Sequence, residues 1–317
     1  MPANAAKATE QRDAVVQKYG PWTAHNIFLG ADTYTIAPRV VGDEVRARRI
    51  TQVVLDLMGG SVEGKRVLDL ACAEGLFAIE LAMHGANCLG IEGREASIEK
   101  ARFVKKVLGL ENLDLVQDDV RNLSVEKYGK FDVVLCIGIL YHLDVPDVFQ
   151  FLERVCESAT RLCIVDTRVI TKPKTKVQYR GHVYAGTRGE EHDPRDPAEK
   201  RLSRLWASLD NPTNFWLSRA SVCNAMARGG CTSIYECNLP SEPWRPGNRL
   251  CFIGIKGQPV RILSNPLTQG RPLDDMPERP PRENSVPVEV VRRMSHLLPR
   301  RLRAVGKRLV GRENKLT

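Results

Sequence analysis

The sequence predicts an α/β protein: a doubly wound, mostly parallel seven-stranded sheet with helices on both faces. Three observations predict it. Between Lys65 and Thr167, short β-rich runs alternate with amphipathic helical runs. The fourth run, "FDVVLCIGILYHL", is apolar throughout, as a strand covered on both faces has to be. Acidic residues stand at three successive strand ends: Asp69, Glu92 and the pair Asp118-Asp119. Strands alternating with helices imply right-handed crossovers and a parallel sheet.

The elements follow in order. Residues 1–60 read as an N-terminal cap. Met1 to Tyr19 is helical, "GPWTAHNIFLGADTYTIAP" is a loop or short hairpin, and Asp43 to Met58 is a helix ended by Gly59-Gly60. Residues 61–257 read as the main domain. "KRVLDLAC" is the first strand and "EGLFAIELAMHG" its helix, stopped by Gly85. "NCLGIE", "LDLVQDDV", "FDVVLCIGILYHL" and "RLCIVDT" are the next strands, with helices at "REASIEKARFVKKVLGL" and "VPDVFQFLERVCESA". At about 168–214 the periodicity is lost in a polar, turn-rich insertion, the kind of segment that forms lids and binding loops. A helix at "SRASVCNAMARGG" and strands at "CTSIYEC" and "NRLCFIGIKG" complete the sheet. Residues 258–287 hold seven prolines and read as a linker. Residues 288–317 read as a basic amphipathic tail, with Val291, Met294, Leu298, Leu302, Val305 and Leu309 recurring every three or four residues among arginines.

Composition narrows the function. The net charge of +9 is concentrated: residues 286–317 hold nine Lys/Arg against two Asp/Glu, leaving 38 against 36 elsewhere. A nearly neutral body argues against a nucleic-acid surface; the tail suits an anionic membrane, a partner or its own domain, or else is a disordered solubilising end, the default for charge-rich termini. The N-terminus carries no signal-peptide pattern, and no apolar run reaches the roughly 18 residues of a membrane span. The nine cysteines form no C-x-x-C pair and lie mostly in apolar runs, so they read as reduced, buried thiols in a cytoplasmic protein. No His/Asp/Glu spacing argues for a metal, and none is expected.

In an open α/β sheet, ligands bind beyond the carboxyl ends of the strands at the switch point. The first strand ends in V-L-D-L-A-C-A-E-G, residues Val67 to Gly75. A dinucleotide-binding turn wants G-x-G-x-x-G, and here Ala71, Ala73 and Glu74 discourage a pyrophosphate. Glu92 suits two vicinal ribose hydroxyls, because a carboxylate is an acceptor only. Asp118 or Asp119 suits an exocyclic amine.

These residues resemble the class I S-adenosylmethionine-dependent methyltransferases, whose fold is Rossmann-like, over about Lys65 to Lys256. Asp69 and Gly75 keep the places of D-x-G-x-G-x-G, while Ala71 and Ala73 replace its first two glycines. The resemblance implies S-adenosyl-L-methionine as cofactor, with Asp69 to Gly75 at its methionine end, Glu92 at the ribose and Asp119 at the adenine. Val120 would lie along the adenine edge, and Gly138 and Ile139 would line the cofactor. Within that family, "WTAHNIFLGADTYT", "GILYHL" and "NPTNFWLSRASVCNAMARGG" look like segments of the branch containing the tRNA wobble-uridine carboxymethyltransferase. Its extended N-terminal region is short or missing here.

An oxygen acceptor must lose a proton, so a base beside the fourth strand is expected. His142 is the candidate; the alternative is a histidine bonded to backbone. Tyr141 orients a ligand or packs. Trp22 and His25 fold over the cofactor or act as a buried cap. Asp166 and Arg168 meet a polar substrate or pair with each other. The expected function is methylation of a small molecule (a sugar, glycolipid or secondary metabolite) on oxygen. The rivals are a tRNA-modifying transferase and a non-catalytic module with a membrane-docking tail.

Overall fold

The computed structural model describes residues 2–238, 247–268, 276 and 278. The chain begins with α1 (Pro2–Tyr19), a small hairpin of β1 (Phe28–Gly30) and β2 (Thr33–Tyr34), and α2 (Glu44–Leu57). The alternating part follows as β3 (Arg66–Leu70), α3 (Leu76–Met83), β4 (Asn87–Glu92), α4 (Glu95–Leu108), β5 (Leu113–Gln117), α5 (Val125–Tyr128), β6 (Phe131–Ile137), α6 (Asp147–Ser158) and β7 (Ala159–Arg168). Then come β8 (Thr175–Tyr179), β9 (His182–Glu190), α7 (Ala198–Ser203), β10 (Thr213–Leu217), α8 (Arg219–Arg228), β11 (Ser233–Cys237) and β12 (Arg249–Ile255).

Seven strands form the central sheet in the order β11-β12-β7-β6-β3-β4-β5. β3 to β7 pair in parallel, and β12 runs antiparallel to both its neighbours. The sheet has an apolar core on each face, set by the two-residue period of its strands. Val133, Leu135, Leu162 and Ile164 point to the face under α2 and α3, joined by Ile50, Val54 and Phe77. Val134, Cys136, Cys163 and Val165 point to the other, joined by Phe149, Leu152, Val222 and Phe252. The chain leaves β3 towards β4 on one side and returns to β6 on the other. The switch point therefore lies between β3 and β6.

The insertion corrects the sequence expectation. Residues 168–214 are not patternless: β8, β9 and β10 form a three-stranded antiparallel sheet in the order β10-β9-β8. Arg180 (φ 48°) and Gly181 (φ 80°) make the two-residue turn between β8 and β9, and positive φ at both positions suits the twist of a hairpin. Much of the β8–β9 hairpin is exposed and carries Lys174, Lys176, Arg180 and Arg188, so it lacks the apolar alternation that marks a strand. Of the proline-rich segment, residues 258–268, 276 and 278 are described; the basic tail 288–317 lies outside the described residues.

Candidate active site

The carboxyl ends of β3, β4 and β6 open into a cleft with about 1090 Å³ of empty space including its mouth. Asp69, Ala71, Cys72, Ala73, Glu92, Val120, Gly138, Ile139, Tyr141 and His142 line it. The first turn holds three left-handed residues, Ala71 (φ 52°), Ala73 (φ 49°) and Gly75 (φ 86°); the two alanines line the cleft, whereas Gly75, expected at the cofactor, does not. At Gly75 a Cβ would also come within 3.0 Å of both Ala101 Cβ and Ile79 Cδ1. Glycine is needed there on two counts, while the alanines hold the same backbone sign at a steric cost.

Two carboxylates fix this turn. Asp69 is 2% exposed, and its Oδ2 accepts from the Ala78 N–H at 3.1 Å. Burial pushes its carboxyl up to about 7, with the Glu92 charge adding to the rise and the Ala78 bond opposing it. Glu92 accepts from Ala73 N at 2.9 Å and Arg94 N at 2.8 Å, so it braces the loop as well as facing the cleft. Burial holds its carboxyl above the usual range.

Glu74 does not face the cleft. Its buried carboxylate accepts from Thr23 N (2.8 Å), Thr23 Oγ1 (3.2 Å), His25 N (3.3 Å) and Lys100 Nζ (3.3 Å). The residue read as a deterrent to phosphate is instead a clamp on the N-terminal segment. His25 lines the cleft, and its Nδ1 accepts from Leu76 N at 3.2 Å, satisfying a free N–H at the start of α3. Burial pushes its imidazole down, towards the neutral form. Trp22 lies apart from the cleft, packed against Phe103 with ring centroids 5.9 Å apart.

The structure does not bring Asp118 or Asp119 to the cleft wall. Asp118 accepts from Lys127 Nζ (2.6 Å), Asn122 Nδ2 (2.8 Å) and the Tyr128 hydroxyl; these bonds outweigh burial and hold its carboxyl down at about 2. Asp119 accepts from Arg121 N at 2.8 Å and pairs with the Arg121 guanidinium. Of Asp118, Asp119 and Val120, only Val120 lines the cleft.

Several lining residues went unread in the sequence. Leu205 to Leu209, from the insertion, cover the mouth beside Glu92 and Arg94, with Trp206 at 72% exposure. Arg94 latches this segment: its guanidinium donates to the carbonyls of Leu202 (2.5 Å), Arg204 (3.0 Å), Ala207 (2.8 Å) and Ser208 (3.1 Å). At the opposite end stand Asp43, Arg46 and Arg249. Arg46 is 5% exposed; it pairs with Asp43 at 2.8 Å and lies 3.7 Å from Asp166, while its Nε and Nη1 make no hydrogen bond. Asp166 is buried and accepts from Arg249 Nε, and its backbone carbonyl accepts from Gly138 N at 2.8 Å. Arg168 does not pair with Asp166. Its guanidinium lies over the rings of Tyr141 (5.3 Å) and Trp216 (5.4 Å).

His142 Nδ1 lies 2.9 Å from Glu191 Oε1. Glu191 also accepts from Asn214 Nδ2 (2.5 Å) and Ser208 N (2.9 Å). Burial would raise this carboxyl, but the bonds from His142, Asn214 and Ser208 together hold it below its ordinary value. An ionised Glu191 fixes the His142 tautomer with its proton on Nδ1, leaving Nε2 as the basic nitrogen.

The strand order and the cleft at the switch point are those expected of a class I S-adenosylmethionine-dependent methyltransferase domain. Residues 61–199 match the family described as "Methyltransferase domain". The chain is 36% identical over 107 residues to the ubiquinone biosynthesis O-methyltransferase of Acinetobacter baumannii (strain AYE), covering 34% of this chain and 44% of that protein. It is 39% identical over 88 residues to the protein of the same name from Bordetella pertussis (strain Tohama I), covering 28% and 35%. The chain thus spans less than half the length of these curated relatives. Among solved structures, the N-terminal domain of EvdMO1, determined in the presence of SAH and D-fucose, superposes with a TM-score of 0.60 at 23% identity, covering 78% of this chain and 97% of that one. At that identity the likeness carries the fold.

Proposed function

We propose that the chain is an S-adenosylmethionine-dependent O-methyltransferase of a small-molecule acceptor, a sugar, glycolipid or aromatic secondary metabolite. The observation that carries this reading is His142 on the cleft wall, backed from behind by Glu191 at 2.9 Å. The cofactor supplies a methyl group on a positively charged sulfur. Glu92 would hold its ribose hydroxyls, Gly93 and Val120 would meet its adenosine end, and buried Arg46, whose Nε and Nη1 make no hydrogen bond, would meet its carboxylate. His142 Nε2 takes the acceptor hydroxyl proton, Glu191 steadies the imidazolium that forms, and the latched 205–209 segment excludes water. The likeness over 107 residues to an O-methyltransferase supports an oxygen acceptor. A tRNA acceptor is the rival, and the near-neutral body argues against it.

The test is methyl transfer from labelled cofactor to a panel of catechols and hexoses. We expect His142→Ala and Glu191→Gln to slow turnover on the accepted compound by about 100-fold or more, with calorimetric cofactor affinity unchanged. Unaltered turnover in both variants overturns the base assignment. A salt-sensitive gel shift with total tRNA and no transfer to the panel overturns the acceptor class.

A further inference from the structure

Away from the cleft, three thiols meet on the α6–α8 side of the sheet. Cys156 lies near the end of α6, Cys163 in β7, and Cys231 in the turn that leads from α8 to β11. All three are buried. Their sulfurs are separated by 4.0 Å (Cys156–Cys163), 3.3 Å (Cys163–Cys231) and 3.9 Å (Cys156–Cys231). A metal–sulfur bond of about 2.3 Å in tetrahedral geometry sets a sulfur–sulfur edge of about 3.8 Å, which these separations bracket.

Two glycines keep the backbone clear of the sulfurs. A Cβ at Gly254 would lie 2.6 Å from Cys231 Sγ and 2.7 Å from Cys163 Sγ. A Cβ at Gly229 would lie 2.8 Å from Cys156 Sγ. Beside the cluster, Lys256 Nζ donates to the Gly229 carbonyl at 2.8 Å, placing a cation where three thiolates around a dication leave one net negative charge. The Met226 carbonyl oxygen lies 4.0 Å from Cys156 Sγ.

We propose that Cys156, Cys163 and Cys231 form a structural site for a thiophilic divalent ion of the zinc class. It joins α6, β7 and the approach to β11, separately from the methyl-transfer cleft. The thiols give up their protons on binding, so loading is favoured as pH rises. The three residues share no ligand spacing in sequence, which is why sequence reading expected no metal.

The test uses the full chain, purified reduced, exposed to Zn²⁺ and dialysed against a weak chelator. We expect one retained zinc per chain by atomic absorption, a higher melting temperature, and an ultraviolet thiolate charge-transfer band when Cd²⁺ replaces zinc. Cys231→Ala should abolish retention and the band, whereas Cys88→Ala, a buried thiol outside the cluster, should leave both. The wild-type measurement decides the matter even where a core variant does not fold: no retained zinc and no cadmium band overturn the proposal. An intact mass two hydrogens lighter, marking a Cys163–Cys231 disulfide in the reduced preparation, overturns it too. So does metal retention that Cys231→Ala leaves unchanged.

Discussion

At the residue scale, the first turn carries two substitutions against its own geometry. Ala71 and Ala73 sit at positive φ, where an L side chain costs about 1–2 kcal/mol and glycine nothing. Glycine costs about 0.5–1 kcal/mol in unfolded-chain entropy, so Ala71→Gly and Ala73→Gly should each stabilise the chain by up to about 1 kcal/mol. Chemical denaturation checks this, and a lower midpoint would show that the turn prefers its methyl groups. Asp69 gives a pH dependence. The native state keeps its proton up to about pH 7, whereas the unfolded chain releases it near the ordinary value of 3.8. Between those limits the folded state binds more protons, so stability falls as pH rises. Asp69→Asn should remove that loss, leaving a variant more stable than wild type above pH 7 by at most about 4 kcal/mol, with the gap shrinking towards pH 4. Unfolding curves of both proteins at several pH values decide it; a gap that does not change with pH would refute the assignment. Asp69 and Glu92 were legible because each ends an apolar strand. Asp118 and Asp119 end one too, but Lys127, Tyr128 and Arg121 draw their carboxylates aside, and no strand pattern records such side-chain choices.

At the scale of elements, the order of the βαβ part was legible because its central strands are apolar, although the fourth strand, read through to Leu143, ends at Ile137 and the third, read through to Val120, ends at Gln117. The insertion was not, since β8 and β9 carry charges on their exposed sides. Glu191 stood in that unread segment, 49 residues from His142, and only the folded sheet of β8 to β10 brings them together. The same segment gives the cleft its cover. Arg94 alone supplies hydrogen bonds to four of its carbonyls. Bonds from a charged donor contribute about 1.5–3 kcal/mol each when all partners are made, although bonds sharing one side chain do not add. Arg94→Ala should therefore raise hydrogen exchange across residues 202–208 and weaken cofactor binding about tenfold or more, leaving the global melting temperature within a few degrees. Unchanged exchange there would mean that other contacts hold the cover.

At the scale of the whole molecule, the N-terminal segment belongs to the site. Lys100 Nζ bonds Pro21 O at 2.7 Å and Glu74 at 3.3 Å, both charges almost wholly buried, and so ties α4, the first turn and the cap together. Removing one partner of a buried pair costs about 3–5 kcal/mol because the other charge stays behind. Lys100→Met should lower stability by that order, and Lys100→Met with Glu74→Gln together should recover part of it; a double variant no better than the single would argue that the two side chains act independently. The sequence shows a cap of the right length before the sheet, but not that Glu74 reaches back to it.

The reversed course of β12 has a practical consequence. Because it runs against its neighbours, its first residue, Arg249, arrives at the cleft from the far end of the chain, while its body covers the flank of β7. A fragment cut to the family-matched bounds, 61–199, discards this strand together with Arg46 and the 205–209 cover. It would leave the backbone of Leu162 to Val165 as a bare, apolar edge, a template for intermolecular pairing. The smallest piece of this protein worth expressing is therefore set by β12 and by the cap, well outside the stretch that sequence comparison picks out.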